Sequence, residues 1–229
     1  MTTIADNLQA VRARIARAAQ ASGRDPGDIT LVAAGKAFPA EHIAQAHAAG
    51  QRAFGENYAQ EALEKITKLA RLALEWHFIG PIQSNKTGAI AAHFQWAHSV
   101  ERERIAQRLN AARPEGLPPL NICIQVNVSG EASKSGISPG EEIRLAEAIA
   151  WMPRLKLRGL MAIPEPTPDT KLQHRRFALL RELKEKLVAR GHALDVLSMG
   201  MSDDLEAAIA EGATIVRVGT AIFGQRQKT

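Results

Sequence analysis

A single (β/α)8 TIM barrel preceded by one extra helix is the fold that these 229 residues predict. Three observations carry the prediction: eight short apolar runs rich in β-branched residues, seven longer segments of helical period between them, and polar and glycine residues gathered at the C-terminal ends of the runs. A doubly wound open sheet is the competing architecture, but its first turn would carry a glycine fingerprint, and no GxGxxG follows the first run. The barrel reading takes residues 1–229 as one domain, with no internal repeat.

In chain order, Ile4, Leu8, Val11 and Ile15 recur at helical spacing and predict a helix over 3–22 that covers the core. Strands are predicted over 30–35, 52–55, 75–79, 96–100, 121–128, 156–163, 195–199 and 214–218. The connecting helices are predicted over 39–48, 59–72, 85–93, 102–112, 139–151, 170–190 and 203–211. The proline-rich pieces RPEGLPPL and IPEPTPD fall between these elements and read as loops.

Composition excludes several classes. Hydrophobic residues make up 45% of the chain, enough for a large core, and the net charge of +5 comes from both signs mixed along the sequence. No aromatic-interleaved basic patch marks a nucleic-acid surface, so no nucleic-acid partner is expected. The one cysteine, Cys123, rules out a disulfide framework and reads as a buried, inert thiol. No apolar run of 18 residues and no N-terminal leader pattern are present, which predicts a cytoplasmic protein with no membrane partner. The seven histidines show no HExxH spacing and no carboxylate cluster, so no metal site is expected; His77 reads as a hydrogen-bonded core histidine.

In a barrel the active face carries the C-terminal strand ends. The first strand ends in TLVAAGKAFP, which sets Lys36 directly after an apolar run. Either this lysine snorkels to water or, partly desolvated, it becomes an amine nucleophile toward a carbonyl and forms a Schiff base. AAGKA is not a phosphate P-loop, because Thr30 and Ala37 stand where glycine and a hydroxyl residue are required.

The ends of strands seven and eight, SMGMSDD and RVGT, look like a phosphate cradle, with Gly200 and Gly219 allowing close backbone approach and Ser198 and Thr220 offering hydroxyls. Ser202, Asp203 and Asp204 read as helix capping. Arg217 lies near the barrel interior and needs an acceptor, either an ion pair with Glu56 or the ring nitrogen of a ligand.

Taken together, the lysine with its KxxP setting (36–39), FGENYxQE (54–61), WHFIGxxQxNK (76–86), SKSG (133–136), RGLMAI (158–163), LSMGMSDD (197–204) and VRxGTAIFG resemble the pyridoxal phosphate homeostasis proteins, the YggS-like or proline-synthetase-co-transcribed family. The match covers nearly the whole chain. It implies a barrel similar to the N-terminal domain of alanine racemase, with pyridoxal 5′-phosphate (PLP) carried on Lys36 as an aldimine and Arg217 facing the pyridine nitrogen. It further implies that Ser198, Gly219 and Thr220 hold the phosphate and that Asn57 lines the pocket. The chain departs from the family at Gly35 and Ala37, where a hydroxyl residue usually stands beside the lysine.

An arginine at the ring nitrogen weakens the cofactor as an electron sink. In the racemase that the barrel resembles, the opposing acid/base comes from a second domain and subunit, whereas here strand eight finishes eleven residues before the end. Tyr58, the sole tyrosine, is not evidently placed for that role. The expectation is therefore a monomeric carrier, with no catalytic residue, that binds PLP and serves intracellular vitamin B6 homeostasis or delivery to PLP-dependent apo-enzymes. The alternative is a Schiff-base enzyme with weak amino-acid racemase or lyase activity. Lys134 in ASKSG reads as a solvated turn lysine rather than part of a second anion site.

Overall fold

The structure is a computed structural model that describes residues 2–131 and 135–225; Ser133 and Lys134 lie outside the described residues. Helix α1 (Ile4–Ala21) starts at Thr3, whose hydroxyl accepts the Asp6 N–H at 3.1 Å while the Asp6 carboxylate accepts the Thr3 N–H at 3.0 Å. This reciprocal cap satisfies donors that a helix start leaves open. Leu8, Val11, Ile15, Ala18 and Ala19 form its buried face, the stripe that the sequence spacing anticipates.

The alternation then runs β1 (Thr30–Ala34), α2 (Ala40–Ala48), β2 (Ala53–Glu56), α3 (Ala59–Lys68), β3 (Glu75–Phe78), α4 (Thr87–His93), β4 (Trp96–Val100) and α5 (Glu103–Ala112). It continues with β5 (Leu120–Gln125), α6 (Glu142–Ile149), β6 (Leu155–Met161), α7 (Thr170–Ala189), β7 (Val196–Ser198), α8 (Leu205–Ala210), β8 (Ile215–Val218) and α9 (Thr220–Phe223). The eight strands are parallel and ordered as in the chain, and β1 pairs with β8 to close the barrel, Val32 lying beside Arg217. The predicted barrel with its extra N-terminal helix is the fold observed.

Alternation along each strand sorts the side chains. Val32, Ala53, Trp96, Cys123, Met161, Val196 and Ile215 point inward and form one apolar cluster inside the barrel. Leu31, Phe54, Phe78, Ile122, Ile124 and Leu160 point outward into the larger core beneath the helices. Cys123 is fully buried, and burial pushes its thiol up to about 12, as an inert cysteine requires.

The differences from the sequence reading are local. Strand β2 runs one residue past Gly55, because Glu56 still pairs with Phe78. Helix α3 stops at Lys68, where Leu69 caps it. Helix α6 begins only at Glu142, since Gly140 at φ 103° is not helical. Helix α9 is a single turn and too short for periodicity to announce. Among the described residues no helix is long and apolar enough to cross a membrane.

Candidate functional site

Strand β1 delivers Lys36. Val32 and Ala34 face into the barrel, and Lys36, two residues further, keeps that phase and lines a cavity of about 480 Å³ at the C-terminal mouth. Asn57, Arg217, Gly219 and Thr220 line the same cavity. Directly after the lysine, Ala37 sits at φ 64°, in the left-handed region that residues with a Cβ seldom occupy. Its N–H donates to Glu61 Oε1 at 2.8 Å.

A polar layer lies below the cavity. Arg217 is almost fully buried and donates through Nη1 to Ser198 Oγ at 2.7 Å and through Nη2 to the Ala162 carbonyl at 2.9 Å. Burial lowers its pKa to about 10, with the Asp204 charge acting against that shift. Ser198 Oγ lies 2.7 Å from His98 Nδ1, and His98 Nε2 lies 2.9 Å from His77 Nδ1.

A guanidinium can only donate, so the proton placement follows. Arg217 fills one of the two lone pairs of Ser198 Oγ, and the hydroxyl proton finds its acceptor in His98 Nδ1, so that His98 Nε2–H donates to His77 Nδ1. That leaves His77 Nε2–H pointing toward Glu75 Oε1 at 3.7 Å, beyond hydrogen-bond range. Both rings are neutral: burial pushes His77 down to about 3, and burial first, then His77 and Arg217, hold His98 well below its usual range. His77 is thus a core histidine in a hydrogen-bonded chain, stacked on Trp96 at 5.4 Å between centroids.

Five of the seven predicted residues come together: Lys36, Asn57, Arg217, Gly219 and Thr220. Ser198 does not join them. It is fully buried, and its hydroxyl meets Arg217 and His98 beneath the cavity. Gly200 also stands back from the lining; at φ 95° it packs on helix α8, where a Cβ would lie 2.6 Å from Ala208 Cβ. Of the two acceptors considered for Arg217, Glu56 is not the one used, because it turns outward to Lys65 Nζ at 2.7 Å. Asp204 precedes α8, but its carboxylate accepts the Met201 N–H at 2.6 Å instead of capping the helix.

Arg14 on α1 lines the cavity and was not singled out by the sequence; it donates to Glu206 at 2.9 Å and to the Ser202 carbonyl at 2.9 Å. A larger hollow of about 1020 Å³ between α1, α8 and the loop after β6 shares Arg14, Met201 and Asp203 with the cavity but lacks the lysine. Among the described residues no group of three side chains is arranged to hold a metal ion.

The family described as alanine racemase, N-terminal domain, matches residues 7–227. The chain belongs to that family. The pyridoxal phosphate homeostasis protein of Pseudomonas aeruginosa is 64% identical over 226 residues, covering 99% of this chain and 97% of the relative. PipY of Synechococcus elongatus PCC7942, solved with PLP bound, is 34% identical with a TM-score of 0.85, covering 97% of this chain and all of its own. Alanine racemase from Corynebacterium glutamicum, at 18% identity and a TM-score of 0.68, covers 95% of this chain and 61% of its own length; that likeness shows the fold alone.

Proposed function

We propose that this chain binds PLP at the barrel mouth through Lys36 and serves vitamin B6 homeostasis or delivery rather than catalytic turnover. The observation that carries the reading is the placement of Lys36 and the buried Arg217 on the wall of one cavity. The PLP-bound PipY relative and the homeostasis proteins support the choice of ligand.

The residues fit the cofactor. Asn57 Oδ1 is a buried acceptor with no protein partner, on a side chain that lines the cavity. At Gly219 a Cβ would lie 3.1 Å from the Ala34 carbonyl, so the bare backbone keeps the strand-eight end close to β1. Gly219 and Thr220 open α9, and the first N–H groups of a helix have no partner within it, which suits a phosphate. Bound there, the cofactor supplies an electrophilic aldehyde with which an amine condenses reversibly, releasing water.

Arg217 supports the carrier reading over the enzyme. An obligate donor facing the pyridine nitrogen leaves that nitrogen an unprotonated acceptor, which weakens the ring as an electron sink. Tyr58 caps α3 at 65% exposure and is not part of the cavity wall, so it is not placed as an acid or base. Delivery to PLP-dependent apo-enzymes belongs to the same proposal.

The test is the absorbance spectrum of the protein with added PLP beside Lys36→Ala, with borohydride reduction and peptide mapping. The expected result is a visible band, lost in the variant, with reduction fixing the cofactor on Lys36 and no appreciable racemisation or elimination of amino acids. A band that survives the substitution, or a robust turnover rate, overturns the reading.

A further inference from the structure

Beneath the loop that carries Lys36 lies a charged cluster with no part in lining the cavity. Lys65, on α3, is 4% exposed, although lysine is almost never buried without partners. Its ammonium has three N–H donors, and three acceptors surround it: the Gly35 carbonyl at 2.8 Å, Glu56 Oε1 at 2.7 Å and Glu61 Oε1 at 2.6 Å. Glu61 Oε1 also accepts the Ala37 N–H at 2.8 Å.

The Gly35 carbonyl and the Ala37 N–H belong to the two peptide groups that flank Lys36. One buried ammonium holds the first, and the carboxylate paired with that ammonium holds the second. Glu56, fully buried at the end of β2, anchors Lys65 from the barrel side. We propose that Lys65, together with Glu61 and Glu56, is the positioning device for Lys36, fixing the backbone on both sides of the reactive amine.

The arrangement accounts for two features of the loop. Ala37 persists at φ 64° without a glycine because its N–H is committed to Glu61. Gly35 lacks a side chain where a Cβ would lie 2.9 Å from Glu56 Oε1 and would crowd Ile43, so the backbone can approach the cluster. Lys65, Glu61 and Glu56 are positioning residues, since they act on the ligand through Lys36 and its backbone.

This inference rests on the reading of Lys36 as the PLP-binding amine, and the experiment separates the two. Wild type, Lys36→Ala, Lys65→Met and Glu61→Ala are compared for the rate at which the borohydride-reducible PLP band forms. Affinity for pyridoxine 5′-phosphate, which has the ring and phosphate but no aldehyde, is measured in parallel. Lys65→Met and Glu61→Ala are expected to slow band formation at least tenfold while pyridoxine phosphate affinity changes less than twofold.

An unchanged rate in both variants, or an equal loss of both readouts, overturns the positioning role. No band in wild type, or a band retained in Lys36→Ala, overturns the reading of Lys36 itself. Glu61, whose side chain is 32% exposed, keeps the test decisive if Lys65→Met fails to fold.

Discussion

The Ser198 hydroxyl stands 2.7 Å from Arg217 Nη1, inside the barrel and out of the cavity. Together with the bond to the Ala162 carbonyl, this bond orients the guanidinium, and through Ser198 it joins Arg217 to His98. Ser198→Ala would leave both Arg217 Nη1 and His98 Nδ1 buried without this partner. The expected loss is about 1–3 kcal/mol of unfolding free energy. Thr220→Ala, at an exposed position on the rim, should stay within about 0.5 kcal/mol of wild type. Urea unfolding of both variants checks the contrast; equal and small losses would place the Ser198 hydroxyl outside the network.

The buried histidines give the protein an acid limit. His77 falls to about 3 when folded, from a usual value of 6.5, so below 6.5 the unfolded chain binds a proton that the folded chain refuses. Stability from this group is complete above pH 6.5 and is lost as pH falls toward 3, at about 1.4 kcal/mol per pH unit. His77→Gln keeps an acceptor for His98 and removes the titration. Its stability should fall less steeply than wild type by about that amount per unit between about pH 4 and 6. Matching slopes in denaturant titrations at those pH values would show the imidazole protonating in the folded state.

What the sequence could and could not reveal follows from geometry. Strand phase is local, so Lys36, two residues beyond the inward Ala34, and Arg217, two beyond the inward Ile215, were both legible as barrel-facing. Depth along the barrel axis is not local. Ser198 lies at the end of strand seven and Gly219 just past strand eight, yet the register that pairs Ser198 with Met161 and Ile215 sinks its hydroxyl below the cavity. Lys65 was illegible for another reason: an i, i+4 pair such as Glu61 and Lys65 is ordinarily a surface pair, and only the approach of Gly35, just past β1, and Glu56, at the end of β2, buries it. Arg14 reaches the cavity because α1 packs against α8, α9 and α2, a tertiary fact without a motif.

Glu56 carries the opposite pH signature from the histidines. Burial raises its carboxyl to about 7 from 4.5, against the opposing pull of Lys65. Between these values the folded chain holds a proton that the unfolded chain has released, so stability from this group is lost as pH rises from 4.5 to about 7 and is level above. Glu56→Gln removes that dependence. The difference in stability, variant minus wild type, should grow in favour of the variant through this window by on the order of 1–3 kcal/mol. A difference that is flat with pH in thermal unfolding at pH 5, 6 and 7 would refute the raised carboxyl.

Gly80 ties the end of β3 to the cavity wall. A Cβ there would lie 2.6 Å from Asn57 Cα and would press harder still on the Asn57 carbonyl. Both atoms are backbone and cannot swing aside, so Gly80→Ala must move Asn57, whose Oδ1 is the unsatisfied acceptor beside the cavity. Overpacking of this kind costs about 1–3 kcal/mol. Gly88 is the control: it lies in α4 with open space where its Cβ would stand, so Gly88→Ala should stabilise by about 0.5–1 kcal/mol through helix propensity. Because the displaced residue borders the cavity, Gly80→Ala should also weaken pyridoxine phosphate binding several-fold, while Gly88→Ala leaves it unchanged. If Gly80→Ala loses stability but keeps full affinity, Asn57 has no contact with the ligand, and its orphaned oxygen must be satisfied by water.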